Sequence, residues 1–315
     1  MSKFLKIVIL IAVPMGVLYW LSLIVDKGLR KAKLEYSTVN EVFNGTINAD
    51  LVITGSSRAA VHISPKILDS ILHINTHNIG MSGWGFHMQY AMFKVYLKYN
   101  KKPKYVIQIV GELLLKDRED FYNYDLFLPH TYSDIILEAT QHYKGSFTIP
   151  ELYFPLFKYN NKPEYIKKGL KYYFTNKVEN TSKTYKGFWA NDIPWGNTFD
   201  EYKKKNPLRY ESKIDSSLLN EFYEFLDLCS KNDIKVILVW APVYRERYQL
   251  VKNIPEFKQI FRENSLKYNF PFLDYSEDSI GLSTKYFYDS YHMNTTGVKV
   301  FNPILAHDIS TYIKQ

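Results

Sequence analysis

The apolar positions of this chain follow three patterns in succession. From Ile7 to Val25 the sequence reads IVILIAVPMGVLYWLSLIV, 19 residues without a charge. As a helix this run crosses about 28 Å, the thickness of one hydrocarbon core. Lys3 and Lys6 precede it, Asp26, Lys27, Arg30, Lys31 and Lys33 follow it, and Tyr19 and Trp20 lie near its outer end. A cleaved signal peptide is the alternative, but no small-x-small cleavage pattern follows the run, so a retained signal anchor over residues 1–27 is predicted. Two basic residues before the span and four soon after it slightly favour a cytosol-facing domain, yet large domains translocate largely regardless of such charges.

Strand-like and helix-like patterns then alternate. Asp50 to Thr54 is a short apolar run ending at Gly55, and Ile74 to Ile79 leads into a turn holding Gly80, Gly83 and Gly85. Phe86 to Tyr99 has helical spacing, and Tyr105 to Val110 (YVIQIV) reads as a third buried strand. Regularity returns after residue 215. It predicts helices near 216–230, 255–268 and 295–312 and strands at Ile234 to Trp240 and Phe270 to Asp274. Apolar strands alternating with helices predict an α/β fold, three layers with a parallel sheet of about five strands covered on both faces. In such a sheet the site lies beyond the carboxyl ends of the strands.

Residues 112–215 have no clear period and are rich in Tyr, Phe, Trp and Lys, as in FYNYDLFLP, FPLFKYNNKPEY and GFWANDIPWG. A hundred residues is too long for one loop, so an inserted subdomain or cap within a 28–315 domain is predicted.

The 315 residues suffice for a sizeable core, and a single cysteine, Cys229, excludes a disulfide framework and a cysteine-built metal site. The net charge of +8 invites a nucleic-acid reading, but the lysines are scattered among acids, with no basic arm or finger motif. No nucleic-acid partner is expected; an anionic membrane or glycan surface explains the charge more simply.

Two segments carry chemistry. Thr54-Gly55-Ser56-Ser57-Arg58 follows the first strand, where a serine at a strand-to-helix turn exposes its hydroxyl beside free backbone N–H donors; the plainer role for such a serine is a helix cap. Asp289 and His292 stand three residues apart just before the last helix, so the acid can hold one imidazole nitrogen while the other faces a nucleophile; a helix-start Asp beside a surface His is the plainer alternative.

Together with Asn78-Ile79-Gly80-Met81-Ser82-Gly83, these segments resemble the SGNH/GDSL hydrolase superfamily, from about residue 48 to the end and outside the insert. The first block is Gly55-Ser56-Ser57, with Ser56 in the place of the usual Asp; the last is Asp289 to His292. The third block normally places an asparagine after a glycine following strand three, and Gly111-Glu112-Leu113-Leu114 offers none. The resemblance implies a flavodoxin-like SGNH fold and a triad of Ser57, His292 and Asp289, with the backbone N–H groups of Ser57 and Gly83 facing the oxyanion. A Gly-Ser-Ser start behind a single anchor looks like the D-alanyl-lipoteichoic acid biosynthesis and alginate O-acetylation proteins. That likeness implies an extracytoplasmic esterase or O-acyltransferase on acyl, in particular acetyl, groups of a cell-envelope polysaccharide. It would work without a cofactor and beside a membrane-bound O-acyltransferase. The missing asparagine leaves open a catalytically degenerate binding or assembly protein.

Arg58 is a candidate for an anionic substrate group, and Trp84, Trp189 and Trp195 for stacking on sugar rings, with surface solvation and packing as the alternatives. Three glycosylation sequons, starting at Asn44, Asn180 and Asn294, are weak signals. The pairs Asp69/His73 and Glu138/His142 lack a third ligand, so no metal site is expected.

Overall fold

A computed structural model describes residues 2–33, 36–141, 143–175 and 184–313. His142 and the Asn180 sequon therefore lie outside the described residues. The principal helices are α1 (Lys3–Leu29), α2 (Ser57–His62), α3 (Pro65–Leu72), α4 (Phe86–Tyr99), α5 (Ile149–Tyr153), α6 (Pro163–Thr175), α7 (Ser216–Lys231), α8 (Ile254–Tyr268) and α9 (Thr295–Ser310). The strands of the main sheet are β1 (Leu51–Thr54), β2 (Thr76–Asn78), β3 (Tyr105–Ile109), β4 (Lys235–Trp240) and β5 (Phe272–Asp274). The chain divides into two compact units, residues 1–40 with 119–181, and residues 41–118 with 182–315.

The second unit holds the sheet. Its strand order is β2-β1-β3-β4-β5 and every pairing is parallel, the doubly wound arrangement predicted from the apolar runs. Alternate side chains serve opposite faces. Leu51, Ile53, Ile107, Ile109, Ile237 and Val239 pack with Ala59 and Ile63 at the end of α2, Leu68 and Leu72 of α3, and Val298, Phe301 and Leu305 of α9. Elsewhere Phe86 and Phe93 of α4 meet Phe222 and Phe225 of α7, and Phe222 and Trp240 meet Phe261 of α8, through edge-on ring contacts. Parallel strands covered on both faces need no polar alternation, which is why they read as continuous apolar runs.

The first unit is built around the lower end of α1. Residues 2–20 are exposed, and α1 is long and apolar enough to cross a membrane. From Ser22 onward the helix turns inward: Ile24, Val25 and Leu29 are buried. Gly28 meets Gly169 of α6 backbone to backbone, so tightly that a Cβ at Gly28 would fall 1.7 Å from the Gly169 carbonyl oxygen. Asp26 pairs with buried Lys158 at 2.8 Å and accepts a hydrogen bond from the Tyr159 hydroxyl. Asn40 closes the end of α1 by donating to the carbonyls of Leu29 (2.8 Å) and Ala32 (2.9 Å).

The sequence expectation places an anchor over 1–27 and, within a 28–315 domain, one insert at about 112–215. Residues 119–181 assemble with 1–40, and residues 182–215 belong with the sheet. The reason is the buried lower third of α1, whose partners lie more than a hundred residues away and leave no local periodicity.

Candidate active site

Three turns at the carboxyl ends of β1, β2 and β3 frame the site. The β1 turn begins at Gly55 (φ 150°), where a Cβ would stand 2.8 Å from the Ala59 Cβ and 3.0 Å from the Ile109 Cβ, so glycine alone lets α2 start against the neighbouring strand. The helix cap is Ser56, which makes no side-chain cap bond, and Ser57 is the first helical residue. Ser57 is thus not a capping serine. Its hydroxyl lies 2.7 Å from His292 Nε2.

The acid end comes from the loop before α9. Asp289 Oδ1 accepts the backbone N–H groups of Tyr291 (2.8 Å) and His292 (2.9 Å), and the carboxylate holds His292 Nδ1 at 2.8–2.9 Å. This tight turn, rather than a helix start, sets the acid beside the imidazole. Burial pushes the Asp289 carboxyl up, but the contacts with His292 and the two backbone donors outweigh it and hold the group below the usual carboxylate range. The Tyr288 ring stacks on His292 at 5.4 Å and 9° and so restrains the imidazole plane. Asn294 caps α9 by accepting the Gly297 N–H at 3.0 Å.

Residues without an assigned role in the sequence tie the two ends together. His62, five residues after Ser57, is fully buried; its Nε2 accepts the Met293 N–H at 3.0 Å, and its ring lies 6.3 Å from that of His292. Burial first, then the neighbouring His292 and Arg58, keep His62 well below the ordinary histidine range, and hence neutral. Asn302 of α9 donates to the His62 carbonyl and accepts the Ser64 N–H, both at 2.7 Å. Asn78 donates to the carbonyls of Ala59 and Ile63 and accepts the Gly80 N–H at 2.9 Å, which fixes the β2 turn on α2.

The remaining candidates occupy varied surroundings. The Met81 N–H is taken by the Gly55 carbonyl at 3.2 Å, and the Gly80 N–H by Asn78, so neither faces a substrate. Gly83 is half-buried in the same turn with φ 79°, a conformation that favours glycine. Arg58 departs from the expected substrate contact: it is buried, with its guanidinium lying over Gly111 and hydrogen-bonded to the Tyr248 hydroxyl at 3.3 Å. Trp84 is only 3% exposed and offers no face to a sugar ring. Trp189 remains exposed, and Trp195 packs edge-on against Tyr244 at 4.9 Å. In the β3 turn Glu112 is buried, and neither carboxylate oxygen has a hydrogen-bond partner among the described residues. Asp69 is engaged by the Thr76 N–H and by Lys186.

No family model matches the chain, and no curated protein matches it. Among solved structures the chain is similar to a GDSL-like lipase from Bacteroides thetaiotaomicron, with 11% identity, 89% of this chain and 100% of that chain covered, and a TM-score of 0.41. It is also similar to an acetyl xylan esterase (Est2A) from the rumen bacterium Butyrivibrio proteoclasticus, with 11% identity, coverage of 83% and 63%, and a TM-score of 0.37.

Proposed function

We propose that the protein is a serine ester hydrolase of the SGNH/GDSL type. The observation that carries this reading is the unbroken relay from Asp289 to His292 at 2.8 Å and from His292 to Ser57, 235 positions away in sequence, at 2.7 Å. Ser57 Oγ attacks the acyl carbonyl carbon while His292 Nε2 takes its proton, and Asp289 holds the Nδ1–H and steadies the imidazolium. The oxyanion is met by the backbone N–H groups of Ser57 and Gly83. As the tetrahedral species collapses, His292 returns the proton to the leaving alkoxide, and the acyl group stays on Ser57. His292 then deprotonates water, which attacks the acyl carbon; the bond to Ser57 Oγ breaks, Ser57 takes the proton back from His292, and the acid leaves; an acceptor hydroxyl in place of water makes the same enzyme an O-acyltransferase.

The finer reading is a membrane-anchored, extracytoplasmic enzyme that removes or transfers acetyl groups on an envelope polysaccharide, working beside a membrane-bound O-acyltransferase. It is supported by α1 and by the Gly-Ser-Ser start behind it. A fluorophosphonate probe tests the chemistry. Labelling is expected at Ser57, with loss of labelling and a fall of about 10⁴–10⁶-fold in p-nitrophenyl acetate turnover in Ser57→Ala at unchanged thermal stability. An unlabelled wild-type protein, or full turnover by the variant, refutes the reading and leaves a binding or assembly scaffold.

A further inference from the structure

Leu156, within residues 149–157 (IPELYFPLF), lies beside the point where α1 stops being exposed. The Leu156 N–H donates to Ser22 Oγ at 3.4 Å, and Ser22 follows the exposed Tyr19 and Trp20 by two to three residues. Within this segment Ile149, Tyr153, Phe154 and Phe157 are each between 43% and 78% exposed. Four large apolar side chains exposed within nine residues mark a candidate contact surface.

The single charge in the segment does not contradict this. The Glu151 carboxylate is taken by the Thr148 N–H (2.8 Å) and the Thr148 hydroxyl (2.9 Å), a closed box at the start of α5. The segment is also anchored from below. Lys158 and Tyr159, directly after it, bind the buried carboxylate of Asp26. The wedge is therefore fixed to α1 at two levels, Ser22 and Asp26, about one helical turn apart.

The exposed part of α1, residues 3–20, spans about 27 Å, one hydrocarbon core. Tyr19 and Trp20 mark its end, where aromatic side chains collect at the headgroup level. We infer that residues 149–157 form a lipid-facing collar: Ile149, Tyr153, Phe154 and Phe157 enter the headgroup–acyl boundary of the bilayer that α1 crosses. The occupant is the bilayer because the wedge continues the apolar surface of α1 at the level where that surface ends. This rests on the anchor reading of α1 and gives it content. The same contacts make the lower third of α1 part of the folded unit, so removing α1 as a leader strips Lys158 of its carboxylate and Gly169 of its backbone contact.

The test uses the full chain in phospholipid nanodiscs, with single cysteines at Ile149→Cys, Phe154→Cys and Ile11→Cys carrying an NBD fluorophore. Native Cys229 is fully buried, and wild type gives the labelling background. Blue-shifted emission is expected at Phe154 and Ile149, with at least twofold quenching by headgroup-proximal spin-labelled lipid and protection from iodide. Ile11 is quenched by lipid labelled deep in the acyl chain. If the Phe154 and Ile149 probes are open to iodide while the Ile11 probe is quenched, α1 spans but the collar is wrong. Blue-shifted collar probes that lipid does not quench are covered by protein, such as a second copy, and overturn the proposal equally. An unquenched Ile11 probe removes the anchor, and the collar with it, but leaves the esterase reading untouched.

Discussion

The turns after β1 and β3 begin alike and end differently. Each opens on a glycine in the left-handed region, Gly55 at φ 150° and Gly111 at φ 157°, and each leads a polar residue out of the sheet. After Gly55 the half-buried Ser57 meets His292. After Gly111 the carboxylate of Glu112 is driven inward and finds no hydrogen bond among the described residues. Backbone geometry at the edge of a parallel sheet is therefore generic, and the side chains that come after the glycine decide whether a turn does chemistry. The turns are also coupled, since Arg58, the residue after Ser57, lays its guanidinium across Gly111. The Tyr248 hydroxyl bonds Arg58 and so holds the guanidinium over the second turn.

The largest expected effect breaks the β1 side. Asp289→Asn keeps the size of the group, but with its oxygen held by the Tyr291 and His292 N–H groups it turns an amide donor toward His292 Nδ1 and favours the wrong tautomer. A fall of about 10⁴-fold in ester turnover is expected in steady-state assays, with the fold retained by circular dichroism. A loss below tenfold means that His292 is oriented by other groups.

The next effect tests the coupling. A Cβ at Gly111 would stand 2.3 Å from Arg58 Nη2, so Gly111→Ala must displace the guanidinium as well as strain the backbone. A loss of about 2–3 kcal/mol in urea unfolding is expected, together with about 10²-fold slower turnover. Unchanged activity in a destabilised variant makes Gly111 a folding residue and uncouples the turns.

The smallest effect is a pH dependence. His62, beneath the site, has its folded pKa depressed below the unfolded value of about 6.5. The unfolded chain therefore takes up its proton first. Stability is complete above about pH 6.5 and falls as pH drops from there toward the folded pKa, at up to about 1.4 kcal/mol per pH unit. His130 in the first unit, depressed by burial and then by Arg30 and Lys158, adds a second contribution of the same sign. Thermal midpoints between pH 7.5 and 5 are expected to fall in wild type and to fall less steeply in His62→Gln. Equal slopes assign the dependence to other groups.

Much of the sheet was legible because buried parallel strands leave continuous apolar runs, and the helix predicted over 86–99 matches α4 residue for residue. Ser57, Asp289 and His292 stood out because a strand-to-helix turn and a three-residue acid–imidazole spacing are local features. What was hidden depends on contacts between distant parts of the chain. Nothing around Arg58 says that it folds back onto Gly111 rather than outward, and nothing around Trp84 says that it is covered. His62 and Asn302 read as ordinary helix residues until α9 is laid against the end of α2. The lower end of α1 is the clearest case, since its partners sit in a segment with no period of its own.

The backbone contact between Gly28 and Gly169 also sets a schedule for synthesis. The two positions are 169 − 28 = 141 residues apart. At about 5–20 residues per second, the base of the first helix waits roughly 7–28 s for its mate to emerge from the ribosome. During that interval Val25 and Leu29 lack the cover they have in the finished protein.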